Sequence, residues 1–312
     1  EDSFIYDRNG KRYIDLFMGW CVGNLGWGNA EVKKAVRNYD GPDYIYPGLH
    51  FKPWVELAQM LAEITPGKLE KSFRATGGSE ANEAALQMAM LYTKRDKFLS
   101  LEGSYHGNTI ATISIGSSKN REKFGNMLPN CRKIPMPPDA KALSKAETQL
   151  KKKDIAAFIM EPVICNYFTF VPDKEFMIGI RDLCTGYGTL LIIDEVATGF
   201  GRTGKLFGCE HFDIVPDIMT MAKAIGGGAA GLGATITTRE IAEKIKDDFE
   251  FYSTFGWHPL STIAAIANLK YINKHKAQLL HHVNEMGAFF MDRFREMNIG
   301  EETEGKRSGP LP

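Results

Sequence analysis

Three stretches of the sequence place reactive side chains beside glycines. In the first, Thr76-Gly77-Gly78-Ser79-Glu80-Ala81-Asn82-Glu83, two glycines and a serine precede a run of helix formers (Ala84, Ala85, Leu86, Met88, Ala89). The amides of a helix start have no intrahelical acceptor and carry the positive end of the helix dipole, so the segment suits a phosphate. Ser79 would also make an ordinary N-cap, and that reading stands beside the first. A nucleophile elbow does not fit, because it needs glycine where Ala81 stands. In the second stretch, Leu190-Leu191-Ile192-Ile193 runs into Asp194-Glu195-Val196 and then Gly199-Phe200-Gly201-Arg202-Thr203-Gly204. A buried strand ending in carboxylates delivers them where ligands sit in open α/β sheets. The spacing from Gly199 to Lys205 also satisfies a P-loop, but Leu206 stands where Ser or Thr must hold magnesium. In the third, Ile218-Met219-Thr220-Met221-Ala222-Lys223 leads into Gly226-Gly227-Gly228. Lysines stay exposed unless paired or chemically employed. Lys223 therefore either snorkels to the sheet rim or is an amine for Schiff-base chemistry.

The elements that must carry these groups can be read from periodicity. Lys97–Leu101, Ile155–Met160, 190–193 and Ile218–Met221 are short continuous apolar runs, as the strands of a parallel sheet covered on both faces require. Helical patterns lie between them at 80–92, Lys174–Tyr187 and 241–249. The alternation predicts an α/β architecture of three layers, a mostly parallel sheet between two layers of helices. Beyond His258-Pro259, residues 260–272 and then Leu279, Val283, Met286, Phe290 and Phe294 predict long amphipathic helices. Near the start, Asn9-Gly10 between Ile5-Tyr6 and Tyr13-Ile14 predicts a β-hairpin. The segment 301–312 is polar and expected to fray.

Composition removes several classes of function. The 312 residues carry 38 basic and 38 acidic side chains, a formal net charge of zero, which takes away the electrostatic attraction of a nucleic-acid binder. The chain is 44% hydrophobic and 24% charged, and no apolar run is long enough to span a bilayer. Five cysteines (Cys21, Cys131, Cys165, Cys184, Cys209) without a CxxC pair argue against a disulfide framework or a metal site and for a reducing compartment, the cytoplasm. The opening Glu1-Asp2-Ser3 has no signal-peptide character.

A phosphate cradle, a strand-end carboxylate and a strand-end lysine together are what pyridoxal phosphate needs. Here the sequence resembles the class III pyridoxal-phosphate-dependent aminotransferases of fold type I, from about Phe4 to about Arg295. The Asp194-Glu195-Val196 and Gly199 to Gly204 element with the spaced Lys223 carries the likeness. The resemblance implies that Lys223 bonds the cofactor's aldehyde carbon and moves the substrate proton, and that Asp194 pairs with the ring nitrogen. It places Gly78 and Ser79 on the phosphate, Tyr105 of Tyr105-His106-Gly107 on one ring face and Val196 on the other. His106 and Glu161 (of Glu161-Pro162-Val163) come near the ring, and Trp20 of Met18-Gly19-Trp20-Cys21-Val22 lines the substrate. Thr254 would reach the partner's phosphate across a homodimer, giving composite sites. Three regions follow: residues 1–25 as an N-terminal segment, 26–259 as the large cofactor-binding domain, and 260–312 as long helices opening an incomplete small domain.

Some positions depart from the family pattern. Gly77 stands where serine is frequent, Ala197 where glutamine is, and Ala229-Ala230 where proline is common. The family's C-terminal domain usually supplies an arginine for the substrate carboxylate, and the sequence stops at Pro312 before it. The expected reaction is amino transfer between an amine or ω-amino acid and a 2-oxo acid such as pyruvate or 2-oxoglutarate, by a ping-pong mechanism. An aminomutase or racemase on the same scaffold, and a truncated cofactor-binding paralogue without turnover, remain as alternatives.

Overall fold

The computed structural model describes residues 2–116 and 123–297. A hairpin of β1 (Phe4–Tyr6) and β2 (Arg12–Ile14) opens the chain, in antiparallel register with Ile5 opposite Tyr13. One left-handed turn, α1 (Met18–Cys21), follows, then α2 (Ala30–Arg37) and α3 (Lys52–Ile64). The central part alternates: β3 (Leu69–Ala75), α4 (Gly78–Thr93), β4 (Lys97–Leu101), α5 (Ile110–Ile115), β5 (Cys131–Ile134), α6 (Ala140–Leu150), β6 (Ile155–Met160), α7 (Lys174–Tyr187), β7 (Leu190–Asp194), β8 (Ile218–Met221), β9 (Gly233–Thr238) and α8 (Arg239–Ile245). Helix α9 (Pro259–Glu296) closes the described chain.

Seven strands form one sheet in the order β3-β9-β8-β7-β6-β4-β5. Every pairing is parallel except the two made by β9, which runs against β3 and β8. The period-two alternation of each strand divides the core into two layers. Phe158, Met160, Leu191, Ile193, Met219 and Met221 pack under α3, α6, α7 and α9. Ala157, Ile159, Leu190, Ile192 and Ile218 pack under α4, α5 and α8. Asp194 and Thr220, paired in register, continue the second set on the α4 side of the sheet.

Two expectations about the helices change. The segment read as several helices after His258 is one helix of 38 residues. Asn273-Lys274-His275-Lys276 between its apolar stretches holds no glycine or proline, so nothing breaks it. Helix α8 ends at Ile245 rather than near Phe249, where Asp247 and Asp248 would meet the negative end of the helix dipole. The hairpin and the four strands read from sequence occur as expected. The segment 301–312 lies outside the described residues. Among the described residues no helix is long and apolar enough to cross a membrane, and no group of His, Cys, Asp and Glu is arranged to hold a metal ion.

Candidate active site

The C-terminal ends of β7 and β8 open onto a cleft of about 2230 Å³. Asp194 is the last residue of β7, and Lys223 follows β8 by two residues, so adjacent parallel strands deliver carboxylate and amine to the same place. Lys223 sits at φ +46°, in the left-handed region that glycine ordinarily fills, where the chain leaves the strand and turns. Its amine has no hydrogen-bond or ion-pair partner among the described residues. Asn268 of α9 braces this turn by donating to the carbonyls of Ala224 at 2.8 Å and Ile225 at 3.1 Å.

Asp194 is 3% exposed and is held by three N–H groups. Asn82 Nδ2 and His106 Nδ1 each donate to its Oδ2 at 2.8 Å, and the Val196 amide donates to Oδ1 at 3.0 Å. The other strand-end carboxylate does different work. Glu195 is fully buried and accepts from the Thr198 hydroxyl (2.5 Å) and the amides of Gly208 (2.9 Å) and Cys209 (2.8 Å), tying the following loop to the strand.

The first turn of α4 borders the same cleft. Its N-cap is Gly77 with no side-chain cap, which sets aside the reading of Ser79 as an ordinary cap. Ser79 instead lies inside the turn, and its Oγ accepts from the Asn108 amide at 3.2 Å. A Cβ on Gly77 would meet nothing within 4 Å, whereas one on Gly78 would come within 2.9 and 3.0 Å of the Val196 methyls. The uncapped start of α4 therefore borders the cleft, with the Val196 side chain packed against Gly78.

Glu161 follows β6, and its carboxylate accepts the amides of Tyr105 (3.0 Å) and Cys165 (3.4 Å). It thereby pins the loop that carries Tyr105. Burial first, and then the negative charge of Asp194, push the Glu161 carboxyl up to about 8. Tyr105 is 39% exposed in the cleft; His106 is buried beneath it, with Nε2 unpartnered. Trp20 projects into the mouth of the cleft, 66% exposed, with its ring edge against Phe17 at 4.8 Å. Arg202, singled out in sequence only as part of the glycine-rich element, borders the cleft with Nε and Nη2 buried and unpartnered. Burial holds its guanidinium below the usual range.

Of the residues expected from sequence, the fold brings Lys223, Asp194, Gly78, Ser79, Tyr105, His106, Glu161, Val196 and Trp20 to this one cleft. Thr254 is the exception: it lies exposed on the loop before α9 and does not border the cleft of its own chain. Asn82 and Thr220 were missed. Their signal was present, since Asn82 is a lone amide on a helix face otherwise made of Ala85, Leu86 and Ala89.

A mostly parallel α/β sheet with lysine, carboxylate and an uncapped helix start at its strand ends defines a pyridoxal-phosphate transferase site. The family model for class III aminotransferases matches residues 1–304, and the chain belongs to that family. Solved structures agree. A thermostable (S)-enantioselective omega-transaminase from Thermomicrobium roseum is 32% identical, with all of this chain and 75% of that one covered and a TM-score of 0.91. A taurine:2-oxoglutarate aminotransferase from Bifidobacterium kashiwanohense, solved with pyridoxal phosphate and glutamate, is 29% identical over 95% of this chain and 71% of that one, with a TM-score of 0.88. A transaminase from the marine bacterium Virgibacillus is 29% identical over 88% and 67%, with a TM-score of 0.83. The protein is a pyridoxal-phosphate-dependent aminotransferase. The site fits that cofactor on its own evidence: an amine without a partner, a triply braced carboxylate and an uncapped helix start, all lining one cleft.

Proposed function

We propose that the protein moves an amino group from an amine or ω-amino acid to a 2-oxo acid such as pyruvate or 2-oxoglutarate, donor and acceptor using the cleft in turn. The observation that carries this reading is that the unpartnered Lys223 amine and the braced Asp194 carboxylate line one cleft. Bound there, pyridoxal phosphate supplies an aldehyde carbon for amines and a ring that withdraws electrons. Lys223 would hold the cofactor through that carbon and would move the proton at the substrate Cα. Asp194 pairs with the ring nitrogen and holds its proton, with His106 behind it. The amides at Gly78 and Ser79 bind the phosphate. Tyr105 and Val196 flank the ring, and Glu161 keeps the Tyr105 loop in place.

Trp20 forms the wall that sorts donors by shape. Arg202 offers its free N–H groups to a substrate carboxylate, the partner that a buried guanidinium lacks. Thr254, exposed in its own chain, serves the phosphate of a second copy in a homodimer with composite sites. The three regions 1–25, 26–259 and 260–312 divide this labour, with 26–259 carrying most of the site. Five cysteines without disulfides support a cytoplasmic setting. Borohydride treatment of the cofactor-loaded protein followed by peptide mapping tests the central assignment. The label belongs on Lys223, and its appearance on another lysine, or on none, overturns the reading.

A further inference from the structure

We infer that Asn82 and Thr220 are positioning residues for the Asp194 carboxylate, and that through it they set the proton affinity of the cofactor held in the cleft. The inference rests on the proposed pairing of Asp194 with the ring nitrogen. Strand alternation puts Asp194 and Thr220 side by side on the face of the sheet under α4, and the second turn of α4 lowers Asn82 onto them. Both partners are sealed from water, Asn82 at 1% exposure and Thr220 at 0%.

Each hydrogen-bonding atom of the Asn82 amide is engaged. Nδ2 donates to the His106 carbonyl at 2.7 Å and to Asp194 Oδ2 at 2.8 Å, and Oδ1 accepts the Thr220 hydroxyl at 2.7 Å. The amide has one workable orientation. Turned over, its oxygen would face a carbonyl and a carboxylate, both acceptors, in a place water does not reach. The Thr220 hydroxyl fixes that orientation by donating its hydrogen bond to Oδ1. Asn82 also clamps His106 by its backbone carbonyl, while the His106 ring donates to the same Oδ2. The carboxylate therefore cannot rotate without breaking bonds to Asn82, His106 and the Val196 amide. A carboxylate so fixed presents an unchanging charge to whatever cation it pairs with, and partners behind a ligand tune its basicity.

The readout is the pH midpoint of the visible absorption change of the cofactor-loaded protein. Asp194→Asn sets one end of the scale. Asn82→Ala should move the midpoint by about one pH unit, the size of one lost hydrogen bond to a charged group, in the direction opposite to Asp194→Asn, because a carboxylate with one donor fewer is more basic and pairs more strongly with a cation. Thr220→Val, which keeps the shape and removes the hydroxyl, should move it in the same direction by less, and Thr220→Ser should restore it. Thermal melting runs beside the titration. Melting temperatures that fall while both midpoints stay at the parent value make the pair merely structural and overturn the inference. Should Asn82→Ala not fold, Thr220→Val and Thr220→Ser decide alone. If Asp194→Asn itself leaves the midpoint in place, the reading of Asp194 fails; if it moves and neither Asn82→Ala nor Thr220→Val shifts the midpoint, only the present inference does.

Discussion

Replacing Glu161 by Gln tests the electrostatics beneath the cleft. The carboxyl is 4% exposed, accepts the amides of Tyr105 and Cys165, and titrates at about 8 instead of the ordinary 4.5, first through burial and then through Asp194. Below about pH 4.5 the group is protonated in the folded and unfolded chains alike, and its full contribution to stability is present. As the pH rises toward 8, the unfolded chain releases the proton and the folded protein keeps it. Stability then falls by about 1.4 kcal/mol per pH unit, on the order of 4–5 kcal/mol across the window, and the loss stops growing above about 8. Glutamine abolishes the titration but sets an amide nitrogen against one of the two backbone N–H groups, which costs about 1–3 kcal/mol at every pH. Glu161→Gln should therefore be less stable than the parent at about pH 5, similar near about pH 6, and more stable at about pH 8. Urea unfolding of the cofactor-free proteins at steps across this range measures the difference directly. A difference in stability that stays constant with pH would show that Glu161 ionises in the folded protein like an ordinary carboxyl and would refute the reasoning.

Three further outcomes follow from the geometry. Gly78→Ala drives a Cβ to within 2.9 Å of a Val196 methyl and should cost about 1–3 kcal/mol by overpacking, most of it recovered when Val196→Ala is added; additive melting shifts in the double variant would rule out the contact. Arg202→Ala should weaken carboxylate-bearing substrates by about 1.5–3 kcal/mol in kcat/KM while leaving a carboxylate-free amine unchanged, and equal losses for both would remove Arg202 from substrate binding. Mixing Thr254→Val with Lys223→Ala chains should yield a hybrid in which one site joins an intact Lys223 to an intact Thr254; a hybrid no more active than Thr254→Val places Thr254 outside any composite site.

Much of this site was legible before any coordinate. Continuous apolar runs identify β6, β7 and β8 because a strand covered on both faces needs hydrophobic residues at every position. Asp194 and Lys223 stand out because ionisable groups at the ends of such runs are expensive unless they are used. Pattern alone left other points open or misplaced. Ser79 had the residue type of a cap, yet the cap position falls two residues earlier, at Gly77, a matter of backbone dihedrals that residue type does not encode. The two carboxylates Asp194 and Glu195 are equivalent in sequence; alternation across the sheet turns one toward α4 and its donors and the other into the loop that follows.

What the sequence by itself determined is the alternating α/β order, the glycine-rich turns and the identities of the lysine and carboxylate, since these rest on local periodicity and on the chemistry of single residues. What only the tertiary structure decided is which of them meet. Asn82, His106, Asp194 and Thr220 are separated by up to 138 positions along the chain, and they come within hydrogen-bond distance because parallel pairing of β7 with β8, the packing of α4 across them and the loop after β4 bring four distant segments together. Long-range register is a property of the whole packed sheet, and no window of sequence contains it.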